Sequence, residues 1–247
     1  MGGTDLKQGI FTIEQNAEIA PGMYEMTLLG DTSAITAPGQ FVQIAVPGYF
    51  LRRPISVCDC DEGRLTIIYK VVGDGTRAMS EMGSGVVLDL LTGLGNGYDL
   101  DICTGHVLVI GGGAGVPPMY FLAKRLKALG REVTAILGFQ SKTDVFYEEK
   151  FKALGVESVV TTADGSYGAA GFVTDAMTMP HDFVCACGPL PMLKAVFHRS
   201  DASGQYSFEE RMGCGFGACM GCTVKTKTGN KRICKEGPVL RKEDILW

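Results

Sequence analysis

Residues 106–119 read His-Val-Leu-Val-Ile-Gly-Gly-Gly-Ala-Gly-Val-Pro-Pro-Met. An apolar run from Val107 to Ile110 breaks on Gly111, Gly112, Gly113, Ala114 and Gly115. Helical apolar spacing then holds over residues 117–129 and stops at Gly130. A short apolar run that ends on glycine and gives way to a helix is the start of a βα unit. The alternation continues, with strands predicted at 133–137, 156–161 and 183–187. Helices are predicted at 144–154, near 173–177 and at 192–198. Such repetition implies a parallel sheet covered by helices, placed here over residues 104–206.

Upstream the pattern is that of β-structure. Residues 10–18, 23–29, 41–46, 55–60 and 65–72 alternate or run apolar. They are broken at Pro21-Gly22, Pro38-Gly39, Pro47-Gly48 and Glu62-Gly63. Short strands at this spacing predict a small antiparallel barrel over residues 1–103, with a short helix at 76–82 capped by Thr76. Residues 207–247 are rich in Cys, Gly and Lys and show little periodicity. About forty such residues lack the apolar content for a core of their own, and a metal centre is one means of holding them.

The formal charge is −4 and no basic stripe appears, which argues against a nucleic-acid partner. Residues 1–10 carry no apolar core of signal-peptide length, and no run approaches the roughly 20 apolar residues of a membrane helix. A cytoplasmic protein with no membrane partner is the expectation. Nine cysteines are present, four of them in the last forty residues. The others (Cys58, Cys60, Cys103, Cys185 and Cys187) lie in apolar stretches, as buried thiols of a reducing compartment would.

The four clustered cysteines have a spacing with chemical content. Cys214, Cys219 and Cys222 stand as Cys-x4-Cys-x2-Cys, and Cys234 follows. This is the plant-type [2Fe–2S] spacing, with two thiolates for each iron. The small residues Gly213, Gly215, Gly217, Ala218 and Gly221 let backbone N–H groups turn toward the sulfurs of an anionic cluster. A structural zinc site is the competing reading, but it favours two short Cys-x2-Cys knuckles.

Two further stretches suit nucleotides. In Arg52-Arg53-Pro54-Ile55-Ser56, Arg53 is placed to pair with a pyrophosphate and Ser56 to hydrogen-bond a flavin. Ile68, Tyr69 and Lys70 follow on the next strand, with Tyr69 suited to pack on a flavin ring or ribityl chain. Gly75 and Thr76 open the short helix, where backbone N–H groups suit a phosphate. The alternative is an edge-strand arginine of no function. In the α/β unit, Gly111–Gly115 lets the backbone approach a dinucleotide pyrophosphate, the alternative being a tight turn without a ligand. Asp164, Gly165 and Ser166 follow a strand, as residues that bind ribose or phosphate do. Cys187, Gly188 and Pro189 end the last predicted strand, where ligands of open α/β sheets sit; Cys187 also fits a buried thiol. Gly138-Phe139-Gln140-Ser141 offers no Arg for a 2′-phosphate, which favours NAD over NADP, with Lys142 the nearest cation.

Taken together, these motifs resemble the ferredoxin–NADP reductase superfamily. Its Arg-x-x-Ser signature is met by Arg53 to Ser56, its phosphate turn by Gly75-Thr76, and its nicotinamide-side turn by Cys187-Gly188-Pro189. The order of FAD barrel, NAD domain and C-terminal [2Fe–2S] segment resembles the electron-transfer subunits of NAD-dependent, class 1B dihydroorotate dehydrogenases. Leu51 to Ser56, Thr66 to Lys70, Gly111 to Pro118, Asp164 to Gly168 and Glu209 to Gly215 carry that likeness. The resemblance implies a partner, an FMN-containing dihydroorotate dehydrogenase catalytic subunit with a TIM-barrel fold, in a heterotetramer with two of each chain. It also implies electron flow from FMN through the cluster and FAD to NAD⁺ in pyrimidine synthesis. No catalytic acid or base is expected in this chain. Other layouts remain open: a reductase subunit of a sulfide dehydrogenase, ferredoxin:NADP oxidoreductase or hydrogenase, an oxygenase reductase, or a redox sensor. The purified protein is expected to be yellow-brown, with FAD as its flavin and about two irons per chain. Stoichiometric zinc without iron in anaerobically prepared protein would refute the cluster.

Overall fold

Alternation of apolar and polar residues builds the first half of the chain. The structure is a computed structural model that describes residues 6–247; the first half of the 1–10 stretch discussed above lies outside them. Strands β1 (Lys7–Ala20), β2 (Met23–Leu29), β3 (Phe41–Ala45), β4 (Arg53–Asp61) and β5 (Arg64–Lys70) are joined by a sixth, β6 (Val87–Leu94). They close an antiparallel barrel in the order β1-β2-β5-β4-β3-β6. Its interior is filled by residues such as Phe11, Ile13, Met26, Leu28, Val42, Ile44, Leu65 and Ile67. Gly22 and Gly63 turn two of its hairpins with φ of 70° and 75°, a region open to glycine at no steric cost. The sequence reading misses β6. Asp89 and Gly93 interrupt its alternation, and its residue Asp89 is neutralised only in space, by Arg52.

The short helix is α1 (Asp74–Ser80), preceded by Gly73, so Thr76 is not its cap. Thr76 sits inside the first turn. Its hydroxyl accepts from the N–H groups of Val72 (2.9 Å) and Gly73 (3.2 Å) and donates to the Gly73 carbonyl (3.0 Å).

The second half alternates strand and helix: β7 (His106–Gly112), α2 (Val116–Ala128), β8 (Glu132–Phe139), α3 (Glu148–Ala153), β9 (Glu157–Thr162), β10 (Ala169–Ala170), β11 (Phe183–Cys187), α4 (Leu190–Arg199) and β12 (Ser203–Ser207). Helix α3 is shorter than the predicted 144–154. Tyr147 adopts a left-handed φ of 69°, which breaks the helix before Glu148. The predicted helix near 173–177 is a set of turns. After β12 come a hairpin, β13 (Thr223–Thr226) with β14 (Gly229–Arg232), and β15 (Val239–Arg241).

The sheet runs β10-β9-β8-β7-β11-β12-β15, parallel except for its last strand. The final forty residues therefore share the core of the α/β unit. Ile233, Leu240 and Ile245 pack with Leu108, Ile110 and Val184. Trp247 meets Phe197, Tyr206 and Phe208 with ring centroids 5.2, 6.1 and 5.4 Å away.

Barrel and sheet share a core as well, with Cys58 and Ile68 packed among Met119 and Leu122. At its edge Lys124 on α2 donates to Asp59 (2.8 and 2.9 Å) and Asp61 (3.0 and 3.3 Å) on β4. This half-buried pair is expected to contribute more than a surface ion pair. Lys124→Ala should lower stability by about 1–2 kcal/mol in chemical denaturation. A loss below ~0.5 kcal/mol would show that α2 is held on the barrel by apolar packing alone.

Candidate functional site

Three parts of the chain meet around an open cleft of about 190 Å³. The barrel supplies Pro54, Ile55 and Ser56 from β4, Ile68, Tyr69 and Lys70 from β5, and Phe41 from β3. The glycine loop supplies Ala114. The end of β12 supplies Ser207, the segment after it Phe208, Glu209, Glu210 and Met212, and Pro238 closes the far side. Antiparallel pairing of β4 with β5 brings the two predicted flavin stretches side by side. Tyr69 is fixed there: its hydroxyl donates to the Asn16 side-chain oxygen (3.0 Å), and its ring stacks on Tyr24 at 5.8 Å and 21°. Burial pushes its phenol up to about 12, so it stays a neutral wall of the cleft.

The two adjacent arginines have different employment. Arg52 makes a bidentate pair with Asp89 on β6 (3.1 and 2.9 Å), and this hydrogen bonding holds the Asp89 carboxyl below its ordinary range. Arg53 has no carboxylate partner among the described residues. Its guanidinium lies over the Tyr49 ring (5.0 Å to the centroid) and donates to the Leu51 carbonyl. It also covers Gly75 so closely that a Cβ there would stand 2.2 Å from its Nε. A cation at the positive end of a helix is an arrangement that an anion relieves, and a pyrophosphate fits the donors present.

Gly111 and Gly112 end β7, and Gly113, Ala114 and Gly115 form a single tight turn into α2. Three of the glycines serve close packing. A Cβ on Gly115 would stand 2.2 Å from the Cys187 carbonyl, one on Gly112 2.4 Å from Met192 Sδ, and one on Gly111 2.7 Å from Val116 Cα. Gly113 alone has open space and a φ of 52°. Neighbouring β11 ends at Cys187, followed by Gly188 and Pro189, at the same level, since Cys187 pairs with Gly111. The Cys187 thiol is buried with Cys185, and burial raises its pKa well above the ordinary thiol value. Of those three residues only Pro189 is exposed. Asp164, Gly165 and Ser166 lie beyond β9, outside the cleft lining. Asp164 accepts from Ser166 N (3.0 Å) and Oγ (2.6 Å), which lowers its pKa. Ser166 Oγ in turn accepts from Lys142 N (2.8 Å).

The cysteines sort into two pairs. Cys214 and Cys219 interact on the outer loop, and Cys222 and Cys234 interact beneath it, where both are buried. Against the desolvation that raises it, backbone N–H groups of Cys219, Phe216 and Ala218 bring the Cys214 thiol down to about 6. Burial, with Cys222 beside it, pushes Cys234 up to about 12. Two thiol pairs joined by a glycine-rich loop fit two irons rather than one tetrahedral zinc.

The sequence reading missed the wall formed by Phe208, Glu209, Glu210 and Met212. A cue existed, because these residues follow a parallel strand at its carboxyl end. Glu209 is open to the cleft yet ringed by protein, and that desolvation raises its carboxyl pKa.

Removing the Arg53 charge tests the anion site. Arg53→Ala should lose most bound flavin on gel filtration, and Gly75→Ala should do the same by displacing the guanidinium. Arg53→Lys should restore retention only in part, since the planar fork is gone. Full flavin occupancy in Arg53→Ala would exclude the contact.

Comparison with known proteins bears on this geometry. Residues 209–246 match the family "Iron-sulfur cluster binding domain of dihydroorotate dehydrogenase B", and residues 109–198 match "Oxidoreductase NAD-binding domain". A Bacillus pumilus protein, "Dihydroorotate dehydrogenase B (NAD(+)), electron transfer subunit", is 44% identical over 97% of this chain and 98% of its own length. A Fusobacterium nucleatum protein of the same description is 42% identical over 95% and 96%. Among solved structures, a chain from the NADH-dependent reduced ferredoxin–NADP oxidoreductase superposes with a TM-score of 0.87. It is 32% identical and covers 100% of this chain and 92% of its own. A Neisseria gonorrhoeae ferredoxin NADP⁺ reductase shares the fold at a TM-score of 0.67 and 16% identity, covering 78% of this chain and 89% of its own.

Proposed function

The chain belongs to the family of electron-transfer subunits of NAD⁺-dependent dihydroorotate dehydrogenase B, and we propose the following assignment of its residues to that role. It binds FAD, a [2Fe–2S] cluster and NAD. Bound flavin exchanges a hydride with nicotinamide and single electrons with an iron–sulfur centre, which is why such a chain carries all three.

The assignment divides the chain into an FAD-binding barrel (1–103), an NAD-binding unit (104–206) and a cluster segment (207–247). Arg53 and the Gly75-Thr76 turn hold the FAD pyrophosphate. Pro54, Ile55 and Ser56 lie along the flavin edge, with Ile68, Tyr69 and Lys70 on its other side. Gly111, Gly112, Gly113, Ala114 and Gly115 receive the NAD pyrophosphate through their backbone, and Asp164, Gly165 and Ser166 face the ribose. Gly188 and Pro189 border the nicotinamide, and Cys187 sets their position from the buried side. Cys214, Cys219, Cys222 and Cys234 ligate the cluster. No side chain of this chain acts as acid or base.

One observation carries the assignment: Phe41 lines the cleft and packs in the same apolar group as Cys222 and Cys234. The flavin wall and the cluster pocket thus meet on one side chain, on the outer face of β3. The partner is the FMN-containing catalytic subunit that oxidises dihydroorotate, two copies of each chain assemble, and the pathway is pyrimidine biosynthesis. The exposed Phe216 and Met220 on the cluster loop suit that interface; shielding of the cluster is the other use they fit. No helix of the described residues is long and apolar enough to cross a membrane, and a cytoplasmic location accords with that. A ferredoxin–NADP oxidoreductase subunit is the second reading, on the strength of its 32% identity over the whole chain. The curated relatives at 42–44% support the first.

The decisive experiment separates the two halves of the electron path. Cys219→Ser should keep most NADH–dye activity, which needs FAD alone. It should abolish dihydroorotate-dependent NAD⁺ reduction by the pair reconstituted with the FMN subunit. Normal coupled turnover in a cluster-free variant that still binds the partner would refute the relay. Failure of the wild-type chain to bind any dihydroorotate-oxidising partner would favour the second reading.

A further inference from the structure

Gln43 has both polar atoms of its side-chain amide buried without a hydrogen-bond partner, alone in this among the described residues. It is 0% exposed and sits in the middle of β3. Its neighbours Val42 and Ile44 enter the barrel core. Strand alternation sends Gln43 to the outer face with Phe41. That face separates the two redox sites. Phe41 lines the flavin cleft, Gln43 pairs across the ladder with Pro54 of the same cleft, and the amide lies against the cluster loop. A Cβ on Gly215, the residue after Cys214, would stand 2.0 Å from Gln43 Nε2. Gly215 also has a φ of 77°, so position 215 is bound to glycine twice over.

A primary amide brings two N–H donors and an acceptor. Buried and unpaired, it is a standing cost that a folded protein keeps where some other group completes it. The loop pressed against it already directs the N–H groups of Ala218 (3.2 Å) and Cys219 (3.4 Å) at the Cys214 sulfur. A cluster sulfur is electron-rich and accepts from such a donor. We propose that Gln43 donates from Nε2 to a sulfur of the [2Fe–2S] centre on this loop, and so is a positioning residue that tunes the cluster from the FAD-binding barrel. The inference rests on the four cysteines being the cluster ligands. A hydrogen bond to a cluster sulfur favours the reduced, more negative form and raises its potential.

The test uses the full chain with FAD and cluster in place. Wild-type protein labelled with ¹⁵N only in glutamine side-chain amides should show a ¹⁵N coupling to the reduced cluster in pulsed EPR. Gln43→Leu should abolish it. Gln43→Leu and Gln43→Met should both lower the cluster midpoint potential by about 59 mV, a tenfold change in the one-electron equilibrium. A structural role alone would alter cluster retention without any ¹⁵N coupling in the wild type. Iron present with no coupling overturns this inference and leaves the cluster assignment standing, as does a coupling that survives Gln43→Leu. Where neither variant retains the cluster, the wild-type coupling decides. Absence of iron from the wild-type protein overturns both.

Discussion

Asn96 fastens the end of the cluster segment to the barrel. Its side chain donates to the Glu236 (3.1 Å) and Val239 (3.0 Å) carbonyls and accepts from Val239 N (3.2 Å), while its own N–H donates to the Gly237 carbonyl (2.8 Å). Immediately beyond this clamp, β15 adds to the edge of the sheet beside β12. A segment too poor in apolar residues to fold alone is thereby tied at one point to both larger units. Everything the site needs follows from that tie. Pro238 is set into the cleft wall, Cys234 is buried against Cys222, and the loop from 214 to 222 is laid on the outer face of β3.

The shared cores make distances between redox sites a property of packed side chains rather than of a hinge. The barrel meets α2 through apolar packing and the Lys124 carboxylate pairs, and the cluster segment meets the sheet through Leu240, Ile245 and Trp247. Interiors at this density resist small displacements. A path for electrons benefits from such stiffness, because the protein's contribution to this chemistry is placement and electrostatics rather than proton transfer.

Much of this was legible before the structure. The bounds of β2 and β11 follow from apolar runs bracketed by turn residues, and the cysteine spacing carries its chemistry openly because ligation depends on residue type and separation. What escaped did so for identifiable reasons. Strand β6 contains Asp89, whose charge makes sense only with Arg52 opposite it. The first turn predicted for α3 fails because Tyr147 turns left-handed, which apolar spacing does not register. Phe208, Glu209 and Met212 fall in the segment read for its cysteines, and their place in the cleft wall depends on which strand end they leave. Gln43 and Asn96 carry no motif at all; each acquires meaning from residues more than a hundred positions away.

The pairing of β15 with β12 also orders events in time. The chain leaves the ribosome from its N-terminus, so barrel and parallel sheet are complete in sequence while β12 is still an uncovered edge. The cysteine-bearing segment lies between β12 and β15, so that edge is covered only after all four cysteines have emerged. An exposed edge is a template for unwanted pairing until it is covered. All four cysteines are thus made before β15, and capture of iron can precede protection of the nascent sheet.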